Sequence, residues 1–218
     1  NRGDALDSAQ DVAPPADQMI RDLPPHKAIA LAWFATSLAE EAEKTDPKTT
    51  KYISLHERLA RNSQDVGGVL GHLLAGSLGT QPQNASISCL QAWMTYGQRV
   101  PNEQVTASLR PLLRPTIECL AVDELYEVTI ELLTDILNNW QNFFTKSDYE
   151  LLYALFDSDW SQRRYQALLQ GDFDFDSVQF GLFMVAFGDS QITELMNRSD
   201  ARAQQFLSGL VGLLSAKG

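Results

Sequence analysis

The chain has 218 residues, 44% hydrophobic and 21% charged, which excludes a mostly disordered tail, a collagen-like fibre and a disulfide scaffold. Its 28 acids against 17 bases leave a formal charge of −11, which disfavours direct contact with nucleic-acid backbone and favours basic protein partners. Cys89 and Cys119 are too few for a disulfide framework or a zinc site and point to a reducing compartment.

Residues 1–25 are acidic and proline-bearing, with Met19, Ile20 and Leu23 as a short apolar cluster, and read as a flexible linker. They begin with neither an initiator methionine nor a charged-then-apolar signal pattern, so the chain reads as a piece of a longer one. From residue 26 to 218 the pattern is helix after helix. Residues 28–43 set Ile29, Leu31, Ala32, Phe34, Ala35 and Leu38 at helical spacing, before a polar break at 45–50.

Residues 51–77 carry Val66, Val69, Leu70, Leu73 and Leu74 at the i, i+3, i+4, i+7, i+8 positions of an amphipathic helix. Gly67, Gly68 and Gly71 inside it each cost about 1 kcal/mol relative to alanine. Close approach of a neighbouring helix would justify them. Gly76, Gly79 and Pro82 end the segment.

A third helix over 84–97 buries Ile87, Leu90, Trp93 and Met94. A fourth over 103–120 is bent or split by Pro111 and Pro115, each of which removes a donor and clashes with the preceding turn. Asp123 is placed as the N-cap of the next, whose buried face holds Leu125, Leu132, Leu133, Ile136, Leu137 and Trp140. Residues 145–148 offer another cap, ahead of Leu151, Leu152, Leu155 and Phe156, and a helix over 160–170 follows. After a turn at 171–174, residues 175–187 are almost continuously apolar. They read as a helix buried on most sides and ended by Gly188 and Asp189. Two last pieces cover 191–197 and 201–216. Alternating β-branched runs and Asn-Gly or Asp-Gly turns are absent, so the fold class is all-α.

The helices come in pairs. Aromatic-rich first members begin near Asn84, Asp123 and Phe175, spaced by about 39 and about 52 residues. Those spacings straddle the roughly 40 to 47 of HEAT or armadillo units. Periodicity alone leaves both a solenoid and a closed bundle open. The longest apolar run, 66–79, is interrupted by His72 and falls short of the roughly 20 residues a bilayer crossing needs.

Motifs for chemistry are incomplete. Asp172, Asp174 and Asp176 resemble the opening of a calcium loop, but Ser177 and Phe183 stand where glycine and glutamate belong. These acids suit a helix N-terminus instead. His56-Glu57 begins like a zinc-protease motif, yet Ala60 occupies the second histidine position. His26, His56 and His72 lack metal spacing, and no Ser, Cys and His gather as a nucleophile would require. The tripeptide Arg2-Gly3-Asp4 and the sequons at Asn84 and Asn197 have no secretory context. No catalytic, metal or cofactor site is therefore assigned.

Charge is more informative. Between Pro115 and Thr145 stand six acids and no base: Glu118, Asp123, Glu124, Glu127, Glu131 and Asp135. A second acidic group runs through Asp148, Glu150, Asp157, Asp159, Asp172, Asp174 and Asp176, with Lys146, Arg163 and Arg164 among them. Such acids serve either as solvated helix faces and caps or as a surface that attracts basic protein segments.

The run Cys89-Leu90-Gln91-Ala92-Trp93-Met94, followed by Val100-Pro101, resembles a helix-to-turn signature of importin-beta (karyopherin-beta) transport receptors. Asp123-Glu124-Leu125-Tyr126-Glu127 resembles the start of the following repeat. Gly171-Asp172 and the helix reaching Val185-Ala186-Phe187-Gly188-Asp189 are similar to the next. The order and spacing, over residues 26–218, resemble the transportin-SR and importin-thirteen branch. That resemblance implies a HEAT-repeat α-solenoid of antiparallel helix pairs, with about four repeats here.

It also implies binding rather than catalysis. The partners would be a basic protein cargo, Ran-GTP acting mainly through repeats outside this chain, and phenylalanine-glycine nucleoporins docking in slots between first helices. No membrane or nucleic-acid contact is implied, and the protein would shuttle between nucleus and cytoplasm as an import receptor. Second helices of such pairs line the concave face, which nominates Asp148, Glu150, Asp157 and Asp159 for cargo. A HEAT scaffold unconnected with nuclear transport is the alternative, and a helical enzyme ranks third.

Overall fold

The computed structural model describes residues 23–44, 50–76, 78–99, 103–139, 143–172 and 174–215. Among them there is helix and turn and no strand. The helices are α1 (Pro25–Lys44), α2 (Thr50–Leu74), α3 (Thr80–Arg99), α4 (Glu103–Leu109), α5 (Leu113–Glu118) and α6 (Tyr126–Asn139). They continue with α7 (Lys146–Leu155), α8 (Asp159–Leu169), α9 (Phe175–Asn197) and α10 (Ala201–Ser215). Expectations for the linker at 1–22, for Trp140 and for Val100-Pro101 lie outside the described residues.

Two layers form by contacts that skip one or two intervening elements. In the first, α1 packs on α3, α3 on α6 and α6 on α9. In the second, α2 packs on α4 and α5, α5 on α7, and α8 on α10. The layers are joined where α1 meets α2 and where α9 meets α8 and α10. A closed bundle would bring the first and last helices together, but the main contacts of α1 are with α2 and α3. The arrangement is an all-α HEAT-like solenoid, its first helices beginning at Pro25, Thr80, Tyr126 and Phe175.

Small residues set the tightest of these contacts. Ala28, Ala32, Ala35 and Ala39 form one stripe of α1, each 5% exposed or less, and let α3 approach closely. Trp93 of α3 is fully buried there, and its indole N–H donates to the Ala35 carbonyl at 3.1 Å. The other end of the solenoid is filled by aromatics. The Phe156 ring lies 5.7 Å from Phe183, 5.2 Å from Phe187 and 4.7 Å from Phe206.

Several local expectations hold for their stated reasons. The 103–120 stretch breaks at Pro111 into α4, a 3-10 turn (Arg110–Leu112) with Pro111 in its first positions, and α5, whose first turn holds Pro115 without a break. After α2 the chain turns through Gly76 and Gly79 at φ of 79° and 96°, backbone that other residues rarely adopt. Thr145 and Asp148 make a reciprocal capping box, and Asp174 caps α9 through the Ser177 amide at 2.8 Å.

Three expectations are corrected. Gly188 and Asp189 do not end a helix, because α9 runs unbroken to Asn197. Gly188 is buried against α10, and a Cβ there would stand 2.5 Å from Cδ2 of Leu210. Nor is α9 buried on most sides, since Phe175, Val178, Leu182, Val185, Ile192 and Met196 are 38–71% exposed. Asp123 does not cap an α-helix either. It begins a 3-10 turn (Asp123–Leu125) entered through extended Val122, and α6 follows at Tyr126.

Candidate binding surfaces

The four nominated acids cluster around α7 and α8, but most of them are already engaged. Asp148 is 8% exposed, and its Oδ2 accepts the Thr145 amide at 2.8 Å and the Thr145 hydroxyl at 2.6 Å. Glu150 takes Arg198 in two contacts, at 2.9 and 3.5 Å. Asp157 is paired with Arg202. Asp159 opens α8 with its side chain in solvent. Arg198 arrives from the turn before α10 and Arg202 from the first turn of α10, and Arg198 lies 48 residues from Glu150, so no local spacing announces the pair.

Tyr153 sits beneath this cluster. The Arg198 guanidinium lies 4.5 Å from its ring centroid and that of Arg202 5.6 Å. Burial pushes the Tyr153 phenol up to about 12, the Asp200 carboxylate adding to the effect while both arginines oppose it. Its hydroxyl is buried without a hydrogen-bond partner. Beside it a hollow of about 280 Å³ is lined by Lys146, Tyr149, Glu150, Phe187, Glu194 and Arg198, among others. Acid and base alternate around its mouth, so the acidic group acts less as a uniform negative field than the sequence suggests.

A second hollow, of about 390 Å³, lies between the first helices α1 and α3, closed by the 3-10 turn that precedes α6. Ile29 and Trp33 line one wall, Thr80, Gln81, Asn84 and Ala85 another, with Glu124 and Leu125 at the end. Trp33 is 53% exposed. An exposed indole over a shallow slot offers its face to another aromatic ring, or, with Glu124 nearby, to a cation. Helical spacing alone puts Trp33 on a solvent face; the slot exists only because α3 is docked there.

A third cluster joins two repeats. The Arg164 guanidinium lies 4.0 Å from the Tyr126 ring centroid and 4.9 Å from that of Trp160, and Tyr126 donates to the Asp176 carbonyl at 2.9 Å. Burial is the chief reason the Tyr126 phenol resists ionisation. Among the described residues no three His, Cys, Asp or Glu side chains gather as a metal would require. No described helix is long and apolar enough to cross a membrane.

Stacked helix pairs, each meeting its neighbours, make this a HEAT-like solenoid whose surfaces suit protein recognition. Over 143 residues the chain is 23% identical to the importin beta-like protein kap111 of Schizosaccharomyces pombe (strain 972 / ATCC 24843). The similarity covers 61% of this chain and 14% of that relative, and supports the importin-beta superfamily without distinguishing a branch. No protein-family profile and no solved structure matches the chain.

Proposed function

We propose that this chain is a cargo-binding section of a nucleocytoplasmic transport receptor of the transportin-SR and importin-thirteen branch, serving nuclear import. The observation that carries the proposal is the similarity to an importin beta-like protein in a chain built of stacked helix pairs. Binding, with no chemistry, is the activity. Ran-GTP regulates cargo exchange, and small rotations between repeats sum to a change of superhelical pitch that couples the two ligands. The receptor shuttles through the nuclear pore.

Asp148, Glu150, Asp157 and Asp159 are proposed to face basic cargo, with different availabilities. Asp159 is open, Glu150 and Asp157 must exchange an arginine partner, and Asp148 holds the start of α7. Nucleoporin phenylalanines are proposed to enter the slot beside Trp33.

The test uses the whole receptor of which this chain is proposed to be a section, immobilised on beads in nuclear and cytosolic extract, with and without Ran locked in its GTP state. Release of a basic protein by Ran-GTP supports import and names the cargo. Recruitment of a protein by Ran-GTP makes the direction export. If Ran changes nothing and a phenylalanine-glycine peptide binds wild type and Trp33→Ala alike, a HEAT scaffold outside nuclear transport replaces this reading.

A further inference from the structure

The hollow beside Trp33 opens onto a strongly negative part of the first-helix layer. Asp123, Glu124, Glu127, Glu131 and Asp135, in α6 and the turn before it, are all exposed and have no base among them. Helix α3 has no acid, and its single base, Arg99, is its last residue. Helix α1 carries Lys27 in its first turn and Lys44 at its end, against Glu40, Glu41 and Glu43. Across these elements three bases stand against eight acids, and all three bases sit at helix ends.

Glu124, Glu127, Glu131 and Asp135 follow one another at steps of three, four and four residues, which sets them in one stripe along α6. Among the described residues none of the four has an ion-pair partner. The stripe begins inside the hollow, where Glu124 shares the lining with Ile29 and the half-exposed Trp33. No base lines it; His26 and Lys27, the nearest along α1, stand outside. An indole face beside a carboxylate suits a guanidinium, which stacks on the ring while its N–H groups reach the acid. Gln81 and Asn84 add side-chain acceptors to the same hollow. A phenylalanine there would use the indole and leave the acids idle.

We infer that this groove holds a basic, arginine-bearing segment of a partner protein. One arginine lies on Trp33 and Glu124, and further bases run along Glu127, Glu131 and Asp135. Carboxylates one helical turn apart, about 5.4 Å, match alternate residues of an extended chain at about 6.8 Å within the reach of long basic side chains. The surface is separate from the acids of α7 and α8 and needs no Ran-GTP. Arginine and phenylalanine exclude each other at Trp33, so an occupied groove also closes the slot to nucleoporins.

Fluorescence anisotropy with a short labelled peptide alternating arginine and glycine tests this, with the folding of each variant checked by circular dichroism. Binding is expected and should weaken as salt rises. Trp33→Leu keeps an apolar side chain but loses the ring, and should weaken binding about fivefold, with Trp33→Phe restoring part of it. Glu127→Gln combined with Glu131→Gln should weaken it about tenfold. Asp65→Asn combined with Asp172→Asn, an equal loss of exposed charge elsewhere, should change it less than about twofold. Equal weakening by the two pairs would reduce the binding to net charge and overturn the inference, as would no binding. If Trp33→Leu spares the arginine peptide and blocks a phenylalanine-glycine peptide, the slot belongs to phenylalanine and the inference falls. Loss of the binding in the whole receptor would show the groove covered there, and would overturn it too. The response to Ran-GTP tests the transport reading separately, so either can fail alone.

Discussion

A Cβ placed on Gly67 would stand 2.7 Å from the carbonyl oxygen of Ser108, so α2 and α4 meet backbone to backbone at that point. The oxygen belongs to a helix and cannot swing aside. Gly67→Ala therefore sets overpacking of about 1–3 kcal/mol against a helix-propensity gain of about 1 kcal/mol. Net destabilisation of up to about 2 kcal/mol is expected in urea unfolding. Gly188→Ala meets the tip of the Leu210 side chain, which can change rotamer, and should fall within about 0.5 kcal/mol of wild type. Equal losses at the two sites would show that the contact at Gly67 is looser than its geometry.

Thr145 starts α7 by accepting the Asp148 amide at 3.3 Å while Asp148 returns the bond to the Thr145 amide. Thr145→Ala should cost about 1 kcal/mol and Thr145→Ser almost nothing, since serine keeps the oxygen. Urea midpoints of the two variants are the measurement. Similar losses in both would assign the effect to the methyl group instead of the cap.

Acid should loosen the α9 and α10 end first. The Ser177 hydroxyl and amide hold the Asp174 carboxyl below its ordinary 3.8, and Arg198 with the Ala203 amide does the same for Asp200. A carboxyl with a depressed folded value stabilises the fold above its unfolded value, and that support is lost as pH falls through the folded one. Thermal midpoints should therefore hold above about pH 5 and decline from about pH 4 downward. Asp174→Asn and Asp200→Asn should each flatten the decline. A midpoint that instead falls from pH 7 to 5 would implicate other groups.

Both thiols should be inert in the native protein. Burial pushes Cys89 and Cys119 each up to about 11, so almost no thiolate exists near neutral pH. A dithiobis-nitrobenzoate assay at pH 8 should register neither thiol until urea unfolds the chain, and then both. Rapid labelling of one in native buffer would reveal local opening of its helix.

Arg164 over Tyr126 and Trp160 joins α8 to α6, and the Tyr126 hydroxyl on the Asp176 carbonyl ties that pair to α9. Arg164→Met keeps much of the stem but loses the cation over both rings, and should cost about 1 kcal/mol by urea unfolding. Tyr126→Phe should cost a similar amount through the Asp176 carbonyl left unpaired. If the double variant loses no more than either single one, the two groups act as a unit.

The amino-acid sequence alone determines the helical class, the proline break between α4 and α5, the glycine turn after α2 and the Thr145 and Asp174 caps. Each depends on neighbours within four or so residues, where spacing, φ preference and capping chemistry act directly. Gly67 was legible as a close approach, though not what it approaches. Gly188 was misread because a glycine that ends a helix and one that admits a neighbouring side chain look identical along the chain. Only tertiary structure decides between them, since Leu210 comes from another helix. The same holds for the acids, because Arg198 and Arg202 reach Glu150 and Asp157 only when α10 folds against the core. It holds for α9 too: its apolar stripe reads as core until the stack shows that nothing in the described chain covers it.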